Sequence, residues 1–166
     1  MQDAEQGMPL PPPYGLPSVY YAEADVSCPI DEAWRLMLDY QSWNPDFANA
    51  RVTTIAGQRQ AEGEVVTIQI MNPAGDVLAQ FYAHTVKVVP QRHFVWYTYT
   101  GVQGSFHNFI DFELAESVSG CRFRINFYAQ NLLSADALAA HREKTQNSLV
   151  RLAAAFKNFC EARAGS

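Results

Sequence analysis

The sequence is poor in charge and in cysteine, and it has no long apolar run. Charged residues make up 17% of the 166, the formal net charge is -5, and no Lys/Arg cluster offsets it. Nucleic acids and anionic membrane surfaces select basic faces, so neither is expected as a partner. No apolar stretch approaches the ~20 residues that span a bilayer. The three cysteines, Cys28, Cys121 and Cys160, lie far apart without CxxC spacing. They give neither a disulfide framework nor a zinc motif, and reduced thiols are expected. The N-terminus has neither the basic nor the apolar region of a secretory signal, so the expected location is the cytoplasm. There is no HExxH, no clustered Cys/His and no Asp-rich loop, hence no metal is expected. A Gly-rich phosphate loop and a serine nucleophile elbow are missing too, and no cofactor is expected.

Aromatic residues are plentiful: ten Phe, eight Tyr and three Trp, within a hydrophobic fraction of 48%. They can fill a core or line a cavity for an apolar ligand, and composition alone leaves both open. The length suits one domain with a substantial core. Residues 1–17 (MQDAEQGMPLPPPYGLP) are polar, then Pro-rich, and cannot form a helix or a central strand. They are expected to be a tail that is extended or lies over the surface, with PLPPP as a possible polyproline ligand segment. The domain is expected to span residues 18–163.

Val19 to Val26 alternates as a first strand. Pro29, Asp31 and Glu32 then open a helix, since Pro suits a first turn and acids favour the positive end of the helix dipole. A second short helical segment covers Gln41 to Phe47, interrupted at Pro45. Six strands follow, divided by turn residues: Ala50–Ile55, Glu64–Met71, Val77–Val89, Phe94–Thr100, Ser105–Leu114 and Cys121–Ala129. Short turns between strands mean an antiparallel meander. Ser134 can cap a last helix running to about Arg163. Leu138, Leu149, Leu152, Phe156 and Phe159 draw one stripe along it, and the same stripe carries His141 and Thr145 near its start. This helix is the candidate to cover the sheet.

That order, with the stretches VSCPIDEAWRLMLDYQSWNPDF, Gly63-Glu64 opening a strand, VKVVPQRHFVW, FIDFEL and SGCRFRINF, resembles the START/Bet v 1-like (SRPBCC) superfamily, which includes the polyketide cyclase/dehydrase-like proteins. The matching positions are Pro29, Ala33-Trp34, Asp39, Trp43 and Pro45, and the resemblance covers about Val19 to Phe159. It implies an α+β helix-grip fold. About seven curved antiparallel strands would wrap around the C-terminal helix, with two short helices after the first strand and a cavity for an apolar ligand. Members bind, transport, cyclise, dehydrate or serve as co-chaperones, so function must come from the site.

Strand side chains alternate, so charged positions mark the outer face. Lys87 turned outward puts Tyr82, His84, Val86 and Val88 inside. Asp111 and Glu113 outward put Phe106, Asn108, Ile110, Phe112 and Leu114 inside. Arg122 and Arg124 outward put Phe123, Ile125 and Phe127 inside. No charge decides Phe94 to Thr100; the resemblance favours Phe94, Trp96 and Thr98 inside. A single bulge reverses any of these assignments.

The polar members of the inward set are the candidates for chemistry, because a buried polar group must pair or meet a ligand. His84 is the first candidate for general base or acid, with Tyr82, Asn108 and His141 orienting a substrate or stabilising an oxyanion. The competing reading of His84 is a satisfied core histidine, and that of His141 a solvated position. His84 and His141 converging on a metal is the remote alternative. His107 is assigned to the surface and His93 to a turn. Trp96, Thr98, Phe106, Ile110, Phe123, Phe127 and Thr145 are the candidate substrate-binding residues. The leading expectation is a cofactor-independent acid/base enzyme of cyclase, dehydratase or lyase type, acting on a small apolar aromatic or polyketide-like substrate. The alternative is a non-catalytic carrier or sensor of a hydrophobic small molecule or lipid. A protein-interaction module comes third, since the inward polar groups have no use there. Val95, Tyr97, Tyr99, His107 and Phe109 form an outer aromatic patch, a candidate homodimer interface unless the parity is reversed.

Overall fold

The structure, a computed structural model, describes residues 20–99, 107–129 and 135–164, with side chains for all of these except 107, 129, 135–141 and 164. The expected tail, 1–17, lies outside the described residues. The elements in chain order are β1 (Tyr20–Val26), α1 (Ile30–Leu38), α2 (Tyr40–Trp43), a 3-10 turn (Pro45–Phe47), β2 (Ala50–Ala56), β3 (Val65–Met71), β4 (Val77–Val89), β5 (His93–Tyr99), β6 (His107–Ser117), β7 (Gly120–Ala129) and α3 (Ala135–Ala164). The seven strands form one sheet in the order β1-β7-β6-β5-β4-β3-β2, every pair antiparallel. The sheet curves and the long α3 packs on it, which is the helix grip. No helix among the described residues is long and apolar enough to cross a membrane.

Local chemistry explains the elements. Pro29 precedes α1, Asp31 and Glu32 occupy its first turn, and Glu32 pairs with Arg35 one turn on. Ala33, Leu36 and Met37 supply the buried stripe. Pro45 opens the 3-10 turn, and Asn44 Oδ1 caps it by accepting from the Asp46 amide at 2.9 Å. Gly120, in the β6–β7 hairpin, sits at φ +140°. A Cβ there would stand 2.6 Å from the Cys28 carbonyl oxygen, so only glycine lets the β1–α1 junction pass this closely.

The core lies between the inner sheet face and the helices. Trp43, Phe112, Phe123 and Phe156 form its aromatic centre, with the Phe123 and Phe156 ring centroids 4.2 Å apart. Trp43 Nε1 donates to the Met37 carbonyl at 3.0 Å, so the one polar atom of that indole is satisfied. Leu149, Leu152, Ala153, Phe156 and Cys160 give α3 its buried stripe. Polar contacts fix its docking. Lys157 donates to the Asp25 carbonyl, Gln146 to the Tyr21 carbonyl, and Arg151 pairs with Asp46. All three cysteines are buried and free, and burial pushes Cys121 up to about 11 and Cys160 up to about 12, so both are thiols rather than thiolates at neutral pH.

Three bulges shape the sheet. The pairing skips Ile55 in β2, Leu78 between β4 and β3, and Val86 between β4 and β5. Each skipped residue is a large apolar side chain left exposed. A bulge adds one residue to one strand, so alternation restarts with opposite parity beyond it. The Val86 bulge has the largest consequence for function.

Candidate functional site

A cavity of about 720 Å³ lies between the inner sheet face and the middle of α3. That volume suits a small organic ligand. Trp96, Ile110, Phe112, Ile125 and Phe127 form the sheet side. Phe47 of the 3-10 turn, with Ile70 and Phe81 of β3 and β4, form the wall. Thr145, Ser148, Leu149 and Leu152 of α3 roof it. Ala79 and the polar residues Asn44, Asp46, Gln80, Thr98, Tyr99, Asn108 and Lys144 complete the lining.

Several of these polar groups are already engaged. Asp46 is paired with Arg151 and Asn44 caps the 3-10 turn. Thr98 and Asn108 are different. They stand directly opposite each other on β5 and β6. The Thr98 hydroxyl reaches only the Asn108 backbone carbonyl, at a long 3.5 Å. The Asn108 side-chain Oδ1 is buried and has no hydrogen-bond partner among the described residues. An unmet acceptor in an apolar enclosure is costly, on the order of 1–3 kcal/mol. The pair therefore leaves hydrogen-bonding capacity at the cavity that a ligand can fill.

Six of the expected site residues thus line the cavity together: Trp96, Thr98, Asn108, Ile110, Phe127 and Thr145. Phe123 does not. It is fully buried among Trp43, Phe112 and Phe156, and so belongs to the core. Phe106 and the His141 side chain lie outside the described residues.

His84 and Tyr82 require a correction. Neither lines the cavity. Ala83 and Thr85 are the buried inner residues of that strand, and the Thr85 hydroxyl accepts from Trp96 Nε1 at 3.1 Å. His84 stands opposite Tyr97, and the Tyr82 ring stacks on Tyr99 at 5.3 Å, both on the convex side. The cause is the Val86 bulge. Lys87 does point outward and Val88 does reach the core, but the parity taken from Lys87 fails on crossing Val86, which is itself exposed. The same shift hid Phe81. A signal was present in the sequence: Gln80, Tyr82 and His84 are together more polar than Phe81, Ala83 and Thr85.

The convex face holds a second polar group that sequence reasoning missed. His93 is the first residue of β5 rather than part of a turn, and it is buried. Its Nδ1 lies 3.0 Å from both carboxylate oxygens of Asp111, also buried. Asn126 donates to Glu113, 3.0 Å away, and accepts from Arg124. Burial lowers the His93 pKa, but the hydrogen bond and charge of Asp111, helped by Glu113, outweigh it and the net shift is upward. Burial pushes the Asp111 carboxyl up while His93 pulls it back. With His93 protonated 3.0 Å away, the carboxylate is the form the pair favours, so we assign the shared proton to His93. His93, Asp111 and Glu113 offer ligand atoms within 4.8 Å of one another, a spacing that can hold a metal ion, although all three are engaged in this network.

No family model matches the sequence and no curated protein matches it. Solved structures do. Protein CV1439 from Chromobacterium violaceum is 16% identical, with a TM-score of 0.57 over 83% of this chain and 96% of that one. The di-domain ARO/CYC StfQ of the steffimycin biosynthetic pathway is 14% identical, with a TM-score of 0.64 over 89% of this chain and 52% of StfQ. This chain thus spans about half the length of StfQ. Ara h 8.0201 is 10% identical, with a TM-score of 0.60 over 85% of this chain and 95% of that one. Likeness at such low identity is likeness of fold alone, and the fold these structures share with this chain is the helix grip.

Proposed function

We propose that this helix-grip chain binds a small, largely apolar, ring-bearing molecule in the cavity roofed by α3, held by the Thr98–Asn108 pair. The unmet Asn108 Oδ1 inside an otherwise greasy enclosure carries this reading. It calls for a ligand with a hydroxyl or N–H beside its apolar body. The aromatic lining from Phe47, Trp96, Phe112 and Phe127 favours a planar ring system over a flexible chain. Carriage or sensing fits better than turnover, because neither His84 nor Tyr82 reaches the cavity, and the acid at its edge, Asp46, is paired with Arg151.

A second reading keeps catalysis. The likeness to StfQ, a di-domain ARO/CYC of the steffimycin biosynthetic pathway, favours a cyclase-type reaction on a polyketide-like substrate. Thr98 and Asn108 would then hold a substrate carbonyl, and proton transfer would fall to Lys144 or His141. Residue 141 lies one helical turn before Thr145 on α3.

Native mass spectrometry of the purified protein identifies any ligand it retains, and titration with hydroxylated aromatic ketones tests the pocket. Asn108→Leu is expected to weaken a hydroxyl-bearing ligand about tenfold or more, since losing one buried hydrogen bond costs ~1–3 kcal/mol. Its effect on the deoxy analogue should be small. His84→Ala should leave both affinities unchanged. Equal losses for the two ligands, or a loss with His84→Ala, would overturn the assignment of the pair. Conversion of any ligand by the wild type, abolished by His141→Ala, would select the cyclase reading.

A further inference from the structure

The charge in the cavity wall carries information about the ligand. Two charged residues line the cavity, Asp46 and Lys144. Asp46 is already neutralised, because Arg151 pairs with it. Lys144 has no hydrogen bond or ion pair among the described residues. Its helix neighbours Arg142 and Glu143 do not line the cavity. The wall therefore keeps one uncompensated positive charge. Ser148 follows Lys144 by one helical turn on α3, lines the cavity too, and likewise has no hydrogen bond among the described residues. Side chains four positions apart on a helix are neighbours, with Cβ atoms ~5–6 Å apart. An ammonium and a hydroxyl thus stand side by side at the roof of an apolar enclosure, both able to donate.

We propose that the ligand is an aromatic carboxylic acid whose carboxylate is held at the roof by Lys144 and Ser148. This rests on the reading of the cavity as the site of a ring-bearing molecule, and it adds the charge of that molecule. Three arguments select a carboxylate. First, an ionised carboxylate only accepts hydrogen bonds, and its two oxygens can serve the ammonium and the hydroxyl together. Second, one ammonium matches one negative charge. A phosphate monoester brings nearly two, and the other nearby cation, Arg151, is held by Asp46. Third, Lys144 is exposed and Ser148 half-buried, so the carboxylate stays at the edge of the cavity and keeps part of its hydration. It avoids the desolvation cost of a fully buried ion pair, while the ring enters the apolar lining. The sheet side has the complementary demand. Asn108 Oδ1 is an acceptor and repels a carboxylate, so it takes a donor on the same ligand. A hydroxyaryl carboxylic acid answers both walls.

Calorimetric titration of the full-length protein at neutral pH with hydroxynaphthoic acid, its methyl ester and naphthyl phosphate tests this. Lys144→Met keeps the apolar stem and removes the charge. It is expected to weaken the acid about three- to tenfold and to leave the ester unchanged, the range set by a charge-assisted bond at a partly exposed site. Ser148→Ala is expected to weaken the acid about two- to fivefold, again without effect on the ester. Added salt should weaken the acid in the wild type and not in Lys144→Met. Lys87→Met, which removes an outward-facing lysine on β4, should leave the acid unaffected. Lys144 is exposed, so its substitution does not threaten the fold. Equal losses for acid and ester in Lys144→Met, no loss for the acid, or the same loss in Lys87→Met would overturn the proposal. So would naphthyl phosphate binding more tightly than the acid with the same dependence on Lys144. If the ester binds and Asn108→Leu weakens it while Lys144→Met spares the acid, only the charge assignment falls. If none of the three compounds binds, the cavity reading and this inference fall together.

Discussion

Phe156→Ala is expected to lower the unfolding free energy by about 3–5 kcal/mol, the usual cost of emptying a buried aromatic site. In a chain of this size that corresponds to a melting temperature about 6–20 °C lower. The physical reason is where this ring sits. Phe156 is fully buried, and its ring meets Phe123 at 4.2 Å and Trp43 at 5.1 Å. It is therefore the point where α3, the α2 turn and the sheet come together. The void left by alanine is walled by rigid rings and a seven-stranded sheet, so it cannot collapse. Phe156→Leu keeps most of the volume and should cost about 1–1.5 kcal/mol. Calorimetry or urea titration of the pair measures both. A loss under ~1 kcal/mol for alanine would mean that α3 can repack on the sheet without its ring, and that the grip is looser than these distances imply.

Asp111→Ala is expected to cost a similar ~3–5 kcal/mol near pH 6, because it leaves the protonated His93 buried without its partner. The dependence on pH is the sharper signature. The folded pKa of His93 is raised, so the native state holds this proton more tightly than the unfolded chain does. The stabilisation is fully present below the ordinary histidine value of about 6.5 and is lost as pH rises through the higher folded value. The wild-type melting temperature should therefore fall as the pH rises above about 6.5 and through the raised folded value. Asp111→Asn keeps the shape, removes the charge, and should flatten that slope. Thermal melts of the two proteins from pH 6 to 9 decide it. Parallel slopes would show that the proton on His93 contributes nothing to folding.

Both predictions concern residues whose roles the sequence announced unequally. Phe156 was readable: it falls on the stripe with Leu149 and Leu152, and a stripe at helical spacing on the last helix must face the sheet. The His93–Asp111 pair was not. His93 follows Pro90-Gln91-Arg92, which signals a turn, and Asp111 alternates with apolar residues as an ordinary outward charge would. Their meeting depends on the β5–β6 register, in which Val95 lies opposite Asp111 and brings His93 alongside. Register across two strands is a long-range property that neither strand's own pattern contains.

The cavity divides in the same way. Thr98, Asn108 and Ile110 were legible because β5 and β6 pair without interruption. Thr145 was legible because a hydroxyl on an apolar helical stripe is anomalous. His84 and Tyr82 were misplaced because β4 carries a bulge, and nothing in a single strand marks the residue that will be extruded.

What the sequence determined by itself is the set of elements and their order. Turn residues cut the strands, Pro and acids open the first helix, and apolar periodicity sets the face of the last; these are local effects acting within a few residues. Only the tertiary structure decided which side of β4 faces the cavity, and that an imidazole and a carboxylate meet, buried, on the convex face. Those outcomes rest on bulges, register and burial. Each is settled by where a residue's neighbours on other strands happen to lie, because the free energy of a buried polar or apolar group belongs to its surroundings rather than to the residue.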